Sequence, residues 1–117
     1  MERTVLIVDD HPGFRSAARA LLEADGFDVV GEAADGESGL AAAERLRPGL
    51  VLLDIQLPDL DGFAVAERLA SSQSPPAVVL VSSRDSSAYR RRLADSPARG
   101  FIPKGDLSGA AIAALVG

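Results

Sequence analysis

Five short apolar runs alternate with five segments of helical periodicity, and no other feature of this sequence limits its fold as strongly. The clearest run, Leu50 to Leu53, ends abruptly in one carboxylate, Asp54. Pro58 follows, and Asp61-Gly62 marks a turn just before the next amphipathic segment. A short apolar run bounded by breakers reads as a strand buried on both faces, as in a parallel sheet. In such sheets, ligands bind outside the carboxyl ends of the strands, which is where Asp54 would stand.

The other segments follow the same rhythm. Residues 4–8 are β-rich and apolar and end in Asp9-Asp10. His11-Pro12 then opens a helical pattern in which Phe14, Ala17, Ala18, Leu21 and Leu22 repeat at helical spacing, with Arg15, Arg19 and Glu23 on the wet side. Pro12 suits a first helical turn, and Asp25-Gly26 stops the helix. A second strand is expected over residues 27–33, then a helix over 37–46 with Leu40, Ala43 and Leu46 inward. Pro48-Gly49 breaks that helix before the third strand. A third helix is expected over 63–70, a fourth strand over 77–81 ending in Ser82-Ser83, and a weaker, arginine-rich helix over 86–95. A short fifth strand over 98–102 leads into Pro103-Lys104-Gly105, and Pro103 fits an edge strand because proline cannot donate to a central ladder. Asp106 is expected to cap a last helix over 107–116, with Leu107, Ala111, Ala114 and Leu115 on its inner face. Strand–helix alternation implies parallel βαβ units with right-handed crossovers and helices on both sheet faces, an α/β domain of doubly wound type.

A chain of 117 residues fits one domain, 1–117. It has no cysteine, which excludes disulfides and thiolate metal sites and suits a reducing cytoplasm. A net charge of −5 argues against this domain itself gripping a phosphate backbone. The apolar stretch before Asp9 is too short for a signal-peptide core, and no run is long enough to span a membrane.

Chemistry concentrates at the strand ends: Asp9-Asp10, Asp54, Ser82 and Lys104. Three converging carboxylates repel one another unless a cation sits among them. Hard oxygen ligands suit Mg²⁺, which takes one or two carboxylates together with a substrate phosphate. Lys104 can pair with a phosphoryl oxygen, Ser82 can donate a hydrogen bond to another, and a carboxylate can act as nucleophile. The set therefore describes phosphoryl transfer to Asp54, with the metal and Lys104 neutralising the developing charge. Taken singly the residues say less: Asp9-Asp10 could cap a helix, Ser82 could be a turn residue, and Phe101 an ordinary core aromatic. His11 is read as a helix-entry residue facing solvent rather than a metal ligand, and Arg90-Arg91-Arg92 as a solvated helix face.

Val5-Leu6-Ile7-Val8-Asp9-Asp10, residues 54–62, Ser82 and Gly100-Phe101-Ile102-Pro103-Lys104 together resemble the receiver (phosphoacceptor) domains of two-component response regulators. The resemblance covers essentially the whole chain. It implies a (βα)5 domain with a five-stranded parallel sheet in the flavodoxin-like order 2-1-3-4-5. It implies that Asp54 accepts a phosphoryl group from a sensor histidine kinase. Mg²⁺ would be held by Asp10, by Asp54, by the Gln56 backbone carbonyl, and by Asp9 through water. Ser82 and Lys104 would bind phosphoryl oxygens, and Ser82 with Phe101 would form a hydroxyl–aromatic switch pair. His11-Pro12, Gly31-Glu32-Ala33 and residues 98–104 look like the subgroup with a C-terminal helix-turn-helix output domain, which this sequence does not contain. The resemblance further implies a cytoplasmic signalling switch, not an enzyme beyond its own phosphoryl transfer and dephosphorylation, with no membrane partner. A homodimer would form through residues 86–116, and DNA would be bound only through the output domain.

Two departures stand out. Ser83 replaces the small alanine-like residue usual beside the hydroxyl, and Gly105 replaces a proline that often follows the lysine through a cis bond. A cis bond before a non-proline residue costs about 3 kcal/mol, so a trans bond is expected here. An aspartate-nucleophile phosphohydrolase would carry its nucleophile on the first strand in an Asp-x-Asp pattern. A nucleotide or flavin module would need a Gly-rich phosphate loop, and neither common type is present. An unphosphorylated, degenerate receiver is disfavoured by the intact acid, hydroxyl and lysine set.

Overall fold

A computed structural model describes residues 3–116. Five parallel strands, β1 (Thr4–Val8), β2 (Asp28–Ala33), β3 (Leu50–Asp54), β4 (Ala77–Ser82) and β5 (Gly100–Pro103), form one sheet in the order β2-β1-β3-β4-β5. They alternate with α1 (Pro12–Ala24), α2 (Gly36–Leu46), α3 (Gly62–Ala70), α4 (Arg90–Asp95) and α5 (Gly109–Val116). This is the doubly wound α/β fold expected from the alternation, with Pro103 on the edge strand as expected.

Successive strand residues face opposite ways, so each apolar run supplies two cores. Leu6, Val8, Val51, Leu53, Val78 and Leu80 pack with α2, α3 and Tyr89 on one face. Val5, Ile7, Leu50, Leu52, Val79 and Val81 pack with Ala18 and Leu22 of α1 and Ile112 of α5 on the other. Leu22 and Ile112 are fully buried, as are the central strand residues. That two-sided burial is why the strands read as continuous apolar runs rather than alternating ones.

The helical stretches depart from expectation in four places. Residues 86–95 form a 3₁₀ turn, Ser86–Tyr89, followed by the short α4, not one helix. Asp106 does not cap the last helix: it lies in a 3₁₀ turn, Lys104–Asp106, and Ser108 caps instead, its Oγ accepting from the Ala111 N–H at 3.0 Å. In α5, Ile112 is buried, and Ala114, expected on the inner face, is exposed. In α1, Ala17 is exposed, while Arg15, assigned to the wet side, is largely covered and donates to the Asp9 carbonyl at 2.6 Å. Strand β5 begins at Gly100 rather than residue 98, and β2 at Asp28 rather than Phe27, which is buried outside the strand. No cis peptide occurs among the described residues, so the Lys104–Gly105 bond is trans as expected.

Candidate functional site

Register alone brings the strand ends together. Val8 pairs with Leu53, Asp54 with Val81, and Ser82 with Pro103. Asp9 lies one residue beyond Val8 and Lys104 one beyond Pro103, so Asp9, Asp54, Ser82 and Lys104 stand in a row at the carboxyl end of the sheet. Parallel strands lie about 4.8 Å apart, so side chains at adjacent ends reach one another.

Asp9 is fully buried and Asp54 nearly so. The backbone N–H of His11 donates to Asp9 Oδ1 at 2.9 Å, and Gln56 N–H donates to Asp54 Oδ1 at 3.1 Å. Lys104 Nζ, on a side chain only 14% exposed, lies 2.8 Å from Asp9 Oδ2 and 3.4 Å from Asp54 Oδ2. The shorter contact falls off the line of a hydrogen bond, so Asp9 Oδ2 is ion-paired yet accepts no hydrogen bond. The same ammonium sits over the Phe14 ring at 4.6 Å, which holds it at the mouth of the site.

Burial and the Asp9 charge push the Asp54 carboxyl above the ordinary carboxylate range, against the pull of the Gln56 N–H and Lys104. A buried carboxylate that also faces a second one is short of positive charge, and one lysine does not balance the set. Asp9, Asp10, His11 and Asp54 each offer an atom within 4.8 Å of the others. Three of the four are hard carboxylate oxygens, and Asp9 Oδ2 still lacks a hydrogen bond, so the donor set fits a Mg²⁺ ion. His11 takes the helix-entry role assigned to it, with a side chain 65% exposed. Its Nδ1 nevertheless reaches Asp9 and Asp10 at 3.2 Å each and Lys104 at 3.3 Å.

The loop after β3 is closed by Gly62. A Cβ there would lie 2.3 Å from the Asp54 carbonyl oxygen, so no other residue lets α3 start this near the acid. Asp61 accepts from the Phe63 N–H and caps α3. Asp59 reaches across to α2, accepting from Gly36 N–H at 2.7 Å and Glu37 N–H at 2.9 Å. Asp61 also pairs with Arg92, whose guanidinium lies over Phe63 at 4.3 Å. The last arginine of the run thus ties α4 to the β3–α3 loop, whereas Arg90 and Arg91 are exposed, as expected of a solvated face.

Ser82 is buried, and its hydroxyl neighbour is one that sequence reasoning did not name. Its Oγ lies 3.3 Å from Tyr89 Oη, and the Tyr89 ring in turn packs 6.2 Å from Phe101, centroid to centroid. Tyr89 is a residue of the site that sequence reasoning missed. Its signal was present in the i, i+4 pairing with Leu93, both packed on the same core. Asp59 and Phe14 carried no comparable signal, because their partners are distant in sequence.

A family model described as "Response regulator receiver domain" matches residues 5–114. The virulence factors putative positive transcription regulator BvgA of Bordetella pertussis is 44% identical over 104 residues, which is 89% of this chain and 50% of that protein. The DNA-binding transcriptional activator EvgA of Escherichia coli K12 is 32% identical over 110 residues, 94% of this chain and 54% of that protein. This chain therefore spans about half the length of the curated relatives it matches. The signal receiver domain of the putative response regulator NarL from Mycobacterium tuberculosis superposes with a TM-score of 0.85 at 33% identity, covering 99% of this chain and 98% of that one. With a family model matching residues 5–114, this chain belongs to the response regulator receiver domain family.

Proposed function

We propose that this domain, residues 1–117, is a phosphorylation switch whose phosphoryl acceptor is Asp54. The observation that carries the reading is the position of that carboxylate: at the end of the central strand, nearly buried, beside Asp9 and within 3.4 Å of the Lys104 ammonium. The donor is a phosphohistidine of a sensor kinase. An Asp54 carboxylate oxygen attacks phosphorus, the P–O bond forms as the P–N bond breaks, and the histidine leaves with the electron pair. Asp10, Asp54 and the Gln56 carbonyl would hold Mg²⁺, with Asp9 acting through water. When bound, the ion offsets the charge of the carboxylates and the phosphoryl oxygens. Lys104, now engaged by Asp9 and Asp54, turns to one phosphoryl oxygen, and Ser82 donates to another. The Gln56 N–H keeps the Asp54 carboxylate oriented throughout.

The domain turns nothing over beyond its own phosphoryl transfer and loss. Phe101 and Ser82 carry the change outward, and residues 86–116 form the surface that pairs two copies. Transcriptional output, as the names of BvgA and EvgA describe for those proteins, comes through a DNA-binding domain outside this sequence, in the cytoplasm. Among the described residues, no helix is long and apolar enough to cross a membrane. Incubation with acetyl phosphate and Mg²⁺, followed by intact-mass and peptide mass spectrometry, tests the reading. One phosphoryl group on Asp54 is expected, and steady turnover of donor without a labelled protein would overturn it.

A further inference from the structure

Ser82 Oγ has one proton and two lone pairs to place. The residue is 1% exposed, so water does not solve the problem. The Arg84 N–H donates to Oγ at 3.1 Å and occupies a lone pair. Among the described residues the only hydroxyl within hydrogen-bond reach of Oγ is Tyr89 Oη, 3.3 Å away; either of the two can be the donor, and Tyr89 Oη is the one acceptor within reach of the serine proton. Strand alternation explains the pairing: Ser82 shares a face with Leu80, the face on which Tyr89 is buried.

We propose that Tyr89 is a positioning residue for phosphoryl transfer, its hydroxyl holding the single Ser82 proton that a phosphoryl oxygen on Asp54 must take. The proposal rests on the reading of Asp54 as acceptor and Ser82 as phosphoryl ligand. One proton serves one acceptor, so the Ser82–Tyr89 bond and a Ser82–phosphoryl bond exclude each other. A separation of 3.3 Å is long for a hydroxyl pair, and an anionic oxygen is the stronger acceptor, so the exchange runs toward the phosphoryl group. Its cost is the loss of a neutral hydrogen bond, which lowers the apparent affinity for the phosphoryl group by the same factor. The tyrosine ring lies 5.9 Å from Phe63 of α3 and 6.2 Å from Phe101 of β5, centroid to centroid. Release of its hydroxyl therefore loosens the start of α4 against both elements.

The chain contains one tyrosine and no tryptophan, so its intrinsic emission reports Tyr89 alone. Beryllofluoride with Mg²⁺ serves as the phosphoryl mimic, titrated by calorimetry into the wild type, Y89F, S82A and the double variant. Phenylalanine keeps the ring and its packing, so Y89F folds. Y89F is expected to bind the mimic roughly three- to tenfold more tightly than the wild type, the equivalent of one neutral hydrogen bond. In the S82A background the same replacement should change nothing, because the competition is gone. Wild-type tyrosine emission should also shift on binding. An unaltered affinity in Y89F, an equal change in both backgrounds, or constant emission overturns the proposal while leaving Asp54 as acceptor. If the wild type fails to bind the mimic in any way that Asp54→Asn removes, both readings fall together.

Discussion

The two ends of the functional row are built to different standards. Asp9 and Asp54 close β1 and β3, two adjacent inner strands, and each carboxylate accepts a backbone hydrogen bond from the loop that follows it. Arg15 fixes the Asp9 carbonyl and, with Arg19, grips Glu32 on β2. Helix α1 runs 13 residues and buries Ala18 and Leu22. At the other end, Ser82 leads into a 3₁₀ turn and a six-residue helix that buries no residue of its own. Tyr89, from the turn, the half-buried Leu93, and Arg92 over the Phe63 ring fasten that segment to the core. Few buried contacts mean a low cost of local rearrangement. On the function proposed above, the acceptor is held where the sheet is stiffest, and the responding groups where it is loosest.

The sharpest break in that comparison is Asp54→Asn. The amide can still accept from Gln56 N–H, so the fold should survive, yet it is no nucleophile. Labelling by acetyl phosphate, read by mass spectrometry, should fall from one phosphoryl group per chain to none. Stoichiometric labelling of the variant would put the acceptor elsewhere.

Next in size is a packing contrast. Leu22→Ala should cost about 3 kcal/mol, as for a fully buried leucine that leaves a cavity. Leu93→Ala, from a half-exposed position, should cost about 1 kcal/mol. Urea unfolding of the two variants measures the difference, and equal losses would mean that α4 is as firmly packed as α1.

These two regions were also unequally legible in the sequence. Strand ends such as Asp54 and Asp9 could be read because a buried parallel strand makes an uninterrupted apolar run, and its last residue announces itself. Lys104 followed from the same logic on β5. The segment after Ser82 could not be read so well, since a short helix held by one aromatic and one leucine has hardly any periodicity. Asp106 stood correctly placed for a cap by local rules, but a 3₁₀ turn at Lys104–Asp106 moved the helix start to Ser108. Asp59 capping α2 and Phe14 under Lys104 are tertiary events that no window of sequence displays.

A smaller effect concerns the cation. Mg²⁺ should stabilise the domain by mass action, by roughly 2.7 kcal/mol at a hundredfold excess over its dissociation constant. Asp10→Ala should remove most of the resulting rise in Tm, while Leu93→Ala should keep it. A full rise in Asp10→Ala would exclude that carboxylate as a ligand.

The smallest effect is pH dependence in the metal-free protein, where two carboxylates oppose each other in sign. Asp54 is raised above its unfolded value, chiefly by burial and then by Asp9. The folded state then holds its proton more firmly than the unfolded state. This contribution is fully present below the unfolded pKa and is lost as pH rises through the folded one. Glu32 is lowered, first by its hydrogen bond with Arg19 and then by Arg15, against desolvation. Its contribution is present above the unfolded pKa and is lost as pH falls through the folded one. With a chelator present, Asp54→Asn should therefore exceed the wild type in stability at neutral pH and lose that advantage in acid. Glu32→Gln should be weaker than the wild type at neutral pH by about 1 kcal/mol or less, because its partners are partly solvated, and should match it in acid. Urea midpoints measured from acid to neutral pH decide the matter: an Asp54→Asn curve parallel to the wild type would mean that the acceptor carries no burial strain, and that the stiff end of the row is not under the charge tension its geometry implies.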